Sequence, residues 1–176
     1  MHIFYDYSAP EQTYYINNLT KNKKMNNEKS IEVLNTLIEI NNDRIVGYET
    51  AIKETEEADL KMLFSKLKHT SEKCNGELIS EVIVLGGKPT EGTRTSGKIY
   101  RVWMDIKAAL TGKDRKAILN SCEYGEDVAV DTYETVLKDN LADINAAQQK
   151  MLNAQCALIT ADHDEVKKLR DALVAV

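Results

Sequence analysis

The sequence predicts an all-α protein, a bundle of four long helices with one long crossover connection that carries a short helix. Three observations lead there. Apolar residues recur at spacings of three and four along almost the whole chain, the pattern of helices with one buried face. Breakers are scarce, with 8 glycines and 2 prolines in 176 residues. The helical stretches form two pairs with almost no linker inside each pair and a long polar connector between them, which fits two antiparallel hairpins joined by one crossover.

The first long helix is expected from about Asn27 to Glu57, with Ile31, Leu34, Ile38, Ile45, Tyr48 and Ile52 on its stripe and polar Asn41 among them. The second runs from about Ala58 to Leu85 and carries Leu60, Leu63, Leu67, Ser71, Cys74, Leu78, Val82 and Leu85. Gly86 and Gly87 end it by admitting backbone conformations that favour glycine, and Pro89 bars continuation. The connector then leads to a shorter helix, about Ser96 to Leu110, whose face is Ile99, Val102, Trp103, Ile106 and Leu110. It is expected to cap the bundle, with Trp103 filling space there.

The third long helix starts near Lys113 and follows Ile118, Cys122, Glu126, Ala129, Tyr133 and Val136. The fourth starts near Ala142 and follows Ile144, Ala147, Met151, Leu158, Val166, Leu169 and Leu173, with His163 on its flank. Residues 1–24 show no sustained period among their aromatic residues and end in the basic run KNKK, so they are expected to be a disordered tail, with 25–176 as the bundle domain. A tyrosine-rich arm that binds a partner is the other reading of that segment, and Met25 is an alternative start.

Composition narrows the function. The length suits one domain, and 43% hydrophobic content is enough for one core. A net charge of −5 argues against a nucleic-acid partner, because phosphate binding needs clustered Lys and Arg. No apolar run approaches the roughly 20 residues that span a bilayer, and the N-terminus lacks the apolar core of a signal peptide. A cytoplasmic protein with no membrane partner is therefore expected. Cys74, Cys122 and Cys156 have no close spacing and read as reduced, buried thiols. His69 and Glu72 read as a surface pair. No phosphate loop, Ser-His-Asp order or nucleophile elbow is present, so no catalytic or cofactor-binding residue is assigned.

Glu126 stands out because it falls on an apolar stripe. A buried carboxylate is costly unless it is paired, hydrogen-bonded or bound to a metal. Four runs bear on this: SIEVLNTLIEINNDRIVGYETA, ELISEVIVLGGKP, WMDIKAALTGKDRKAILNSCEYGEDVAVDTYE and HDEVKKLRD. Together, from about residue 28 to the C-terminus, they resemble a bacterial family of ferritin-like four-helix-bundle proteins of unknown function. The resemblance implies a ferritin-like fold, in which better-known relatives hold two metal ions with one Glu on each of two helices and Glu-x-x-His on the other two.

Carried over position by position, those ligands fall on Asn41, on Ser71 and Cys74, on Glu126, and on Thr160 and His163, with Ala129 where some relatives carry a further carboxylate. One carboxylate and one imidazole survive, too few to bind and bridge two iron ions. The resemblance therefore implies a degenerate di-iron site without a cofactor. The protein would be non-enzymatic, binding a protein or small molecule or acting under stress, with Glu126 held by His163, Tyr48 or Tyr133. The alternative is a metal-binding protein that stores, senses or oxidises, using iron or zinc at a divergent site around Glu126 and His163, with Cys74 as a third donor. Relatives of this architecture commonly pair, so a homodimer is compatible with the reading.

Overall fold

The computed structural model describes residues 9–93 and 97–173. Its helices are α1 (Ala9–Glu54), α2 (Ala58–Val84), α3 (Gly97–Gly112), α4 (Arg115–Asp139) and α5 (Ala146–Ala172), with one 3₁₀ turn at Leu141–Asp143 before α5. There is no strand among the described residues, and the architecture is an all-α bundle as predicted.

The helix limits have local causes. Asp114 caps α4 by accepting from the Ala117 backbone N–H at 3.0 Å. Asn145 and Gln148 form a reciprocal capping box at the start of α5. At the end of α2 the Gly87 N–H donates to the Val82 carbonyl at 2.9 Å and the Gly86 N–H to that of Ile83 at 2.9 Å. Gly86 takes a φ of +81°, as this type of helix stop requires. Gly87 then passes so close over α1 that a Cβ there would lie 2.7 Å from the Ile31 side chain.

Two expectations are corrected. Helix α1 begins at Ala9 and not near Asn27, so 9–24, expected as tail, continue the helix; residues 1–8 lie outside the described ones. The cause is the lack of a breaker: Pro10 sits in the first turn, where proline is tolerated, and no proline or glycine follows before Gly47. The α5 stripe is also rotated. Its buried face is Gln148, Leu152, Gln155, Ile159, Asp162 and Val166, whereas Leu158, Leu169 and Leu173 are exposed. Polar residues at every seventh position, Gln148, Gln155 and Asp162, hide that face from a search for apolar periodicity.

Hydrogen bonds trace the crossover. Asn27 donates to the Leu85 carbonyl at 3.4 Å, which sets the end of α2 beside the early part of the bundle. Asn35 bonds to the Lys88 carbonyl and the Thr90 N–H at 3.2 and 2.9 Å, and Asn42 to the Gly92 carbonyl at 2.8 Å, so the connector climbs along α1. Lys107 of α3 reaches Glu54 at 3.2 Å, and Arg115 at the start of α4 pairs with Glu57 and Asp59. The crossover thus spans the bundle, and α4 runs back antiparallel to α1. Helices α2 and α5 are antiparallel as well, through Gln148–Glu81 and Gln155–Glu77, each at 2.8 Å.

The core has two apolar halves. One gathers around Leu34, Leu37, Ile38, Leu78, Leu152 and Ile159, the other around Phe64, Leu67, Ile118, Leu119 and Val166. Helix α3 covers the second half with Ile106, Ala109 and Leu110, while the side chains of Ile99, Val102 and Trp103 lie outside the described residues. Between the halves lies a polar layer.

Gly87→Ala tests the close approach of the crossover to α1. Overpacking against Ile31 is expected to cost about 1 to 3 kcal/mol in urea denaturation. In an Ile31→Ala background most of that increment should disappear; an equal cost in both backgrounds would assign it elsewhere.

Candidate functional site

The polar layer is built around Arg44. On α1 the inward positions are Leu37, Asn41, Arg44, Tyr48 and Ala51, at alternating spacings of four and three, so helix geometry carries the Arg44 side chain straight into the core. Its side chain is 3% exposed. The guanidinium grips Glu126 of α4 with two bonds, Nε to Oε1 at 3.1 Å and Nη2 to Oε2 at 2.7 Å. Nη1 donates to Ser71 Oγ of α2 at 2.8 Å, and Nη2 also reaches Asp162 Oδ2 of α5 at 3.1 Å. The Tyr48 hydroxyl donates to Glu126 Oε1. The guanidinium carbon lies 5.9 Å from the Tyr48 ring centroid, and that ring stacks on Phe64 at 5.7 Å.

The ionisation states follow from burial and partners. Burial is the largest single influence and opposes the Arg44 charge, but the neighbouring groups, Glu126 foremost among them, together outweigh it, so the guanidinium is held charged. Burial and then the Glu126 charge push Tyr48 well above its ordinary value. Asp162 is also raised, first by burial and then by Glu126; its contacts to Arg44 and Thr70 pull the other way without reversing the sign. Glu126 takes the two-bond side of the fork, and Asp162 is the second carboxylate on a cation already shared.

A second chain of hydrogen bonds lies along the same interior. Asn41 Nδ2 donates to the Tyr133 hydroxyl at 2.7 Å, Tyr133 donates to Gln155 Oε1 at 3.0 Å, and Gln155 Nε2 donates to the Cys74 carbonyl at 3.2 Å and to Glu77 at 2.8 Å. Burial pushes the Cys74 thiol up to about 11 and the Cys122 thiol higher still, so neither is a thiolate at neutral pH.

The residues singled out in the sequence are only partly brought together. Asn41, Ser71, Cys74 and Glu126 are all buried, and Ser71 and Glu126 meet at Arg44. His163 does not meet Glu126: its Nε2 lies 3.0 Å from Asp127 and its Nδ1 3.0 Å from Asp164. Thr160 bonds its own helix at the Cys156 carbonyl. Asp162, one position before His163, takes the inward place. His69 is exposed beside Glu72.

Sequence reasoning missed Arg44 and Asp162. Both lie on seven-residue ladders, Arg44 midway between Leu37 and Ala51 and Asp162 after Gln148 and Gln155. Charges of opposite sign on the inward ladders of α1, α4 and α5 were the available signal.

A di-metal centre does not fit this donor set. Among the described residues Glu126 and Asp162 are the carboxylates that meet Arg44, and the guanidinium already stands between them. Among the described residues no group of three or more His, Cys, Asp or Glu side chains is arranged to hold a metal ion. No helix among them is long and apolar enough to cross a membrane.

Residues 29–139 match a family described as a domain of unknown function, DUF2383. No curated protein matches the chain.

Two measurements test the reading of the cluster. Arg44→Met alone leaves two buried carboxylates without a cation and is expected to cost about 3 to 5 kcal/mol, whereas Arg44→Met combined with Glu126→Gln and Asp162→Asn should recover most of the loss. A triple variant no better than the single one would show that the fork contributes more than charge compensation. The second concerns pH. The Asp162 pKa is raised on folding, so the fold takes up a proton there, and its contribution to stability falls as pH rises from the ordinary aspartate value through the folded one. The stability of the wild type relative to Asp162→Asn should therefore improve on acidification through that window; an opposite slope would mean that Arg44 dominates over burial at Asp162.

Proposed function

We propose that this chain, which belongs to the DUF2383 family of domains of unknown function, is a cytoplasmic ferritin-like bundle that acts by binding and not by catalysis. Its role would be that of a binding or stress-associated protein. The observation that carries this reading is the Arg44 fork: the centre of the bundle, where metal-loaded relatives of such a fold place cations, holds a side-chain cation of its own, gripped by Glu126, Ser71 and Asp162. Both Glu126 oxygens are engaged, Tyr48 is kept neutral, and the thiols of Cys74 and Cys122 are kept protonated, so none of these four groups is poised as a base or nucleophile.

The competing reading, a divergent iron or zinc site for storage, sensing or oxidation, would require Glu126 to leave Arg44 and Tyr48 and His163 to leave Asp127 and Asp164. Metal content decides between the two. Purified without chelator from iron-fed cells, the protein is expected to carry far less than one iron per chain and to show no ferroxidase activity. About two irons per chain, lost on Glu126→Ala, would overturn the proposal in favour of a di-iron protein. One zinc per chain, lost on Cys74→Ser or His163→Ala, would establish the mononuclear alternative.

A further inference from the structure

We propose that one buried water molecule is a built part of the polar layer, bonded to the side-chain oxygen of Asn41 and to the guanidinium of Arg44. The first observation is an orphaned acceptor. Asn41 is fully buried, and among the described residues its Oδ1 has no hydrogen-bond partner. The amide cannot be reversed to relieve this, because its nitrogen donates to the Leu37 carbonyl at 2.9 Å, and a carbonyl can only accept. That nitrogen also donates to the Tyr133 hydroxyl at 2.7 Å, so both of its protons are committed. A carbonyl oxygen enclosed in protein without a donor is costly, and such atoms are normally satisfied by an ordered water.

The second observation is an unused donor on the same face. A guanidinium carries five N–H groups. The bonds of Arg44 to Glu126, Ser71 and Asp162 use the one on Nε, one on Nη1 and both on Nη2, which leaves the second N–H of Nη1 without a partner among the described residues. Asn41 and Arg44 are three apart on the inward side of α1, which sets their Cβ atoms about 5 to 6 Å from each other. With its nitrogen bonded back to Leu37 in the preceding turn, the Asn41 amide leaves its oxygen end to the following turn, where Arg44 stands.

Room and chemistry both select water. Small buried side chains face this level of the bundle, Ser71 and Cys74 from α2 and Ala129 from α4. Ala129 falls between Glu126, which meets Arg44, and Tyr133, which meets Asn41, so it is the α4 residue at the height of the site. On α2, Ser71 meets Arg44 and Asn75 meets Asn42, which sets Cys74 beside Asn41. The orphaned oxygen needs a donor and the unused N–H needs an acceptor, and water is both at once. A cation would suit Asn41 but lie beside the guanidinium, and an anion would suit Arg44 but lie beside the carboxylates of Glu126 and Asp162. The water joins two chains of hydrogen bonds, the fork of Arg44 and the run from Asn41 through Tyr133 and Gln155 to Glu77, into one network that touches all four long helices.

A crystal structure of the full chain at a resolution that shows ordered waters tests this directly. One water within hydrogen-bond distance of both Asn41 Oδ1 and Arg44 Nη1 is expected. In solution, magnetic relaxation dispersion of the water nuclei counts the molecules held inside the protein. Asn41→Leu is similar in volume and has no polar end group, so it should hold one water fewer than the wild type while keeping the wild-type circular dichroism spectrum and cooperative unfolding. Should Asn41→Leu fail to fold, the wild-type crystal structure decides alone. Asn41 Oδ1 bonded directly to Arg44 or to another side chain, no ordered water at that place, or a folded Asn41→Leu with the wild-type count would each overturn the proposal.

Discussion

Everything in the interior is arranged around one cation. A guanidinium cannot shed its proton, and its five N–H groups lie in one plane, so it is tolerated inside a protein only where acceptors close around it. Here those acceptors come from three helices: Ser71 from α2, Glu126 from α4 and Asp162 from α5, around an arginine on α1. All four long helices therefore meet at one point. Sliding any of them by a residue would turn its acceptor away and leave a charge uncompensated, so the cluster fixes register more than it adds stability. The two apolar halves of the core on either side have no comparable means of distinguishing one register from the next, because apolar contacts are non-directional.

This also explains which elements were legible in the sequence. Helix α2 was read closely, from Leu60 to Val82, because its inward ladder is apolar or nearly so and ends in Gly86 and Gly87. Helix α4 was read equally well, including buried Glu126, since Ile118, Cys122, Ala129, Tyr133 and Val136 outline its stripe. Helix α5 was not, because half of its buried face is polar and each of those polar residues has its partner on another helix: Gln148 at Glu81, Gln155 at Tyr133 and Asp162 at Arg44. The partner of a buried polar residue is a tertiary fact, and one-dimensional periodicity cannot supply it. Arg44 was passed over for the same reason in favour of its neighbour Ile45, although Arg44 keeps the alternation of four and three through Leu37, Asn41, Tyr48 and Ala51 and Ile45 breaks it.

Charge balance separates this interior from a metal-loaded one. Two iron ions need about four carboxylates to neutralise and bridge them, whereas one guanidinium needs one, and the second is in excess. The raised pKa of Asp162 is the physical trace of that excess: the aspartate lies against a cation already committed to Glu126, and burial favours its neutral form. The hydroxyls of Tyr48 and Ser71 add hydrogen bonds to Glu126 and Arg44 without adding charge. The donor set is matched to an arginine: two carboxylates and two hydroxyls close around one guanidinium.

An interior closed in this way constrains what the exterior can do. Because the fork holds α1 against α4 at Arg44 and Glu126, while Arg115 ties the start of α4 to Glu57 in the turn that follows α1, the separation of the two helices elsewhere depends on the side chains between them. At 29–36 of α1 those side chains include Val33 and Thr36, facing Val128, Thr132 and Val136, all too short to fill the space, and a groove is the result. Its position follows from the internal lock together with the local choice of small residues. The arginine turned inward at the centre of the bundle thus helps to set the shape of the surface beside it.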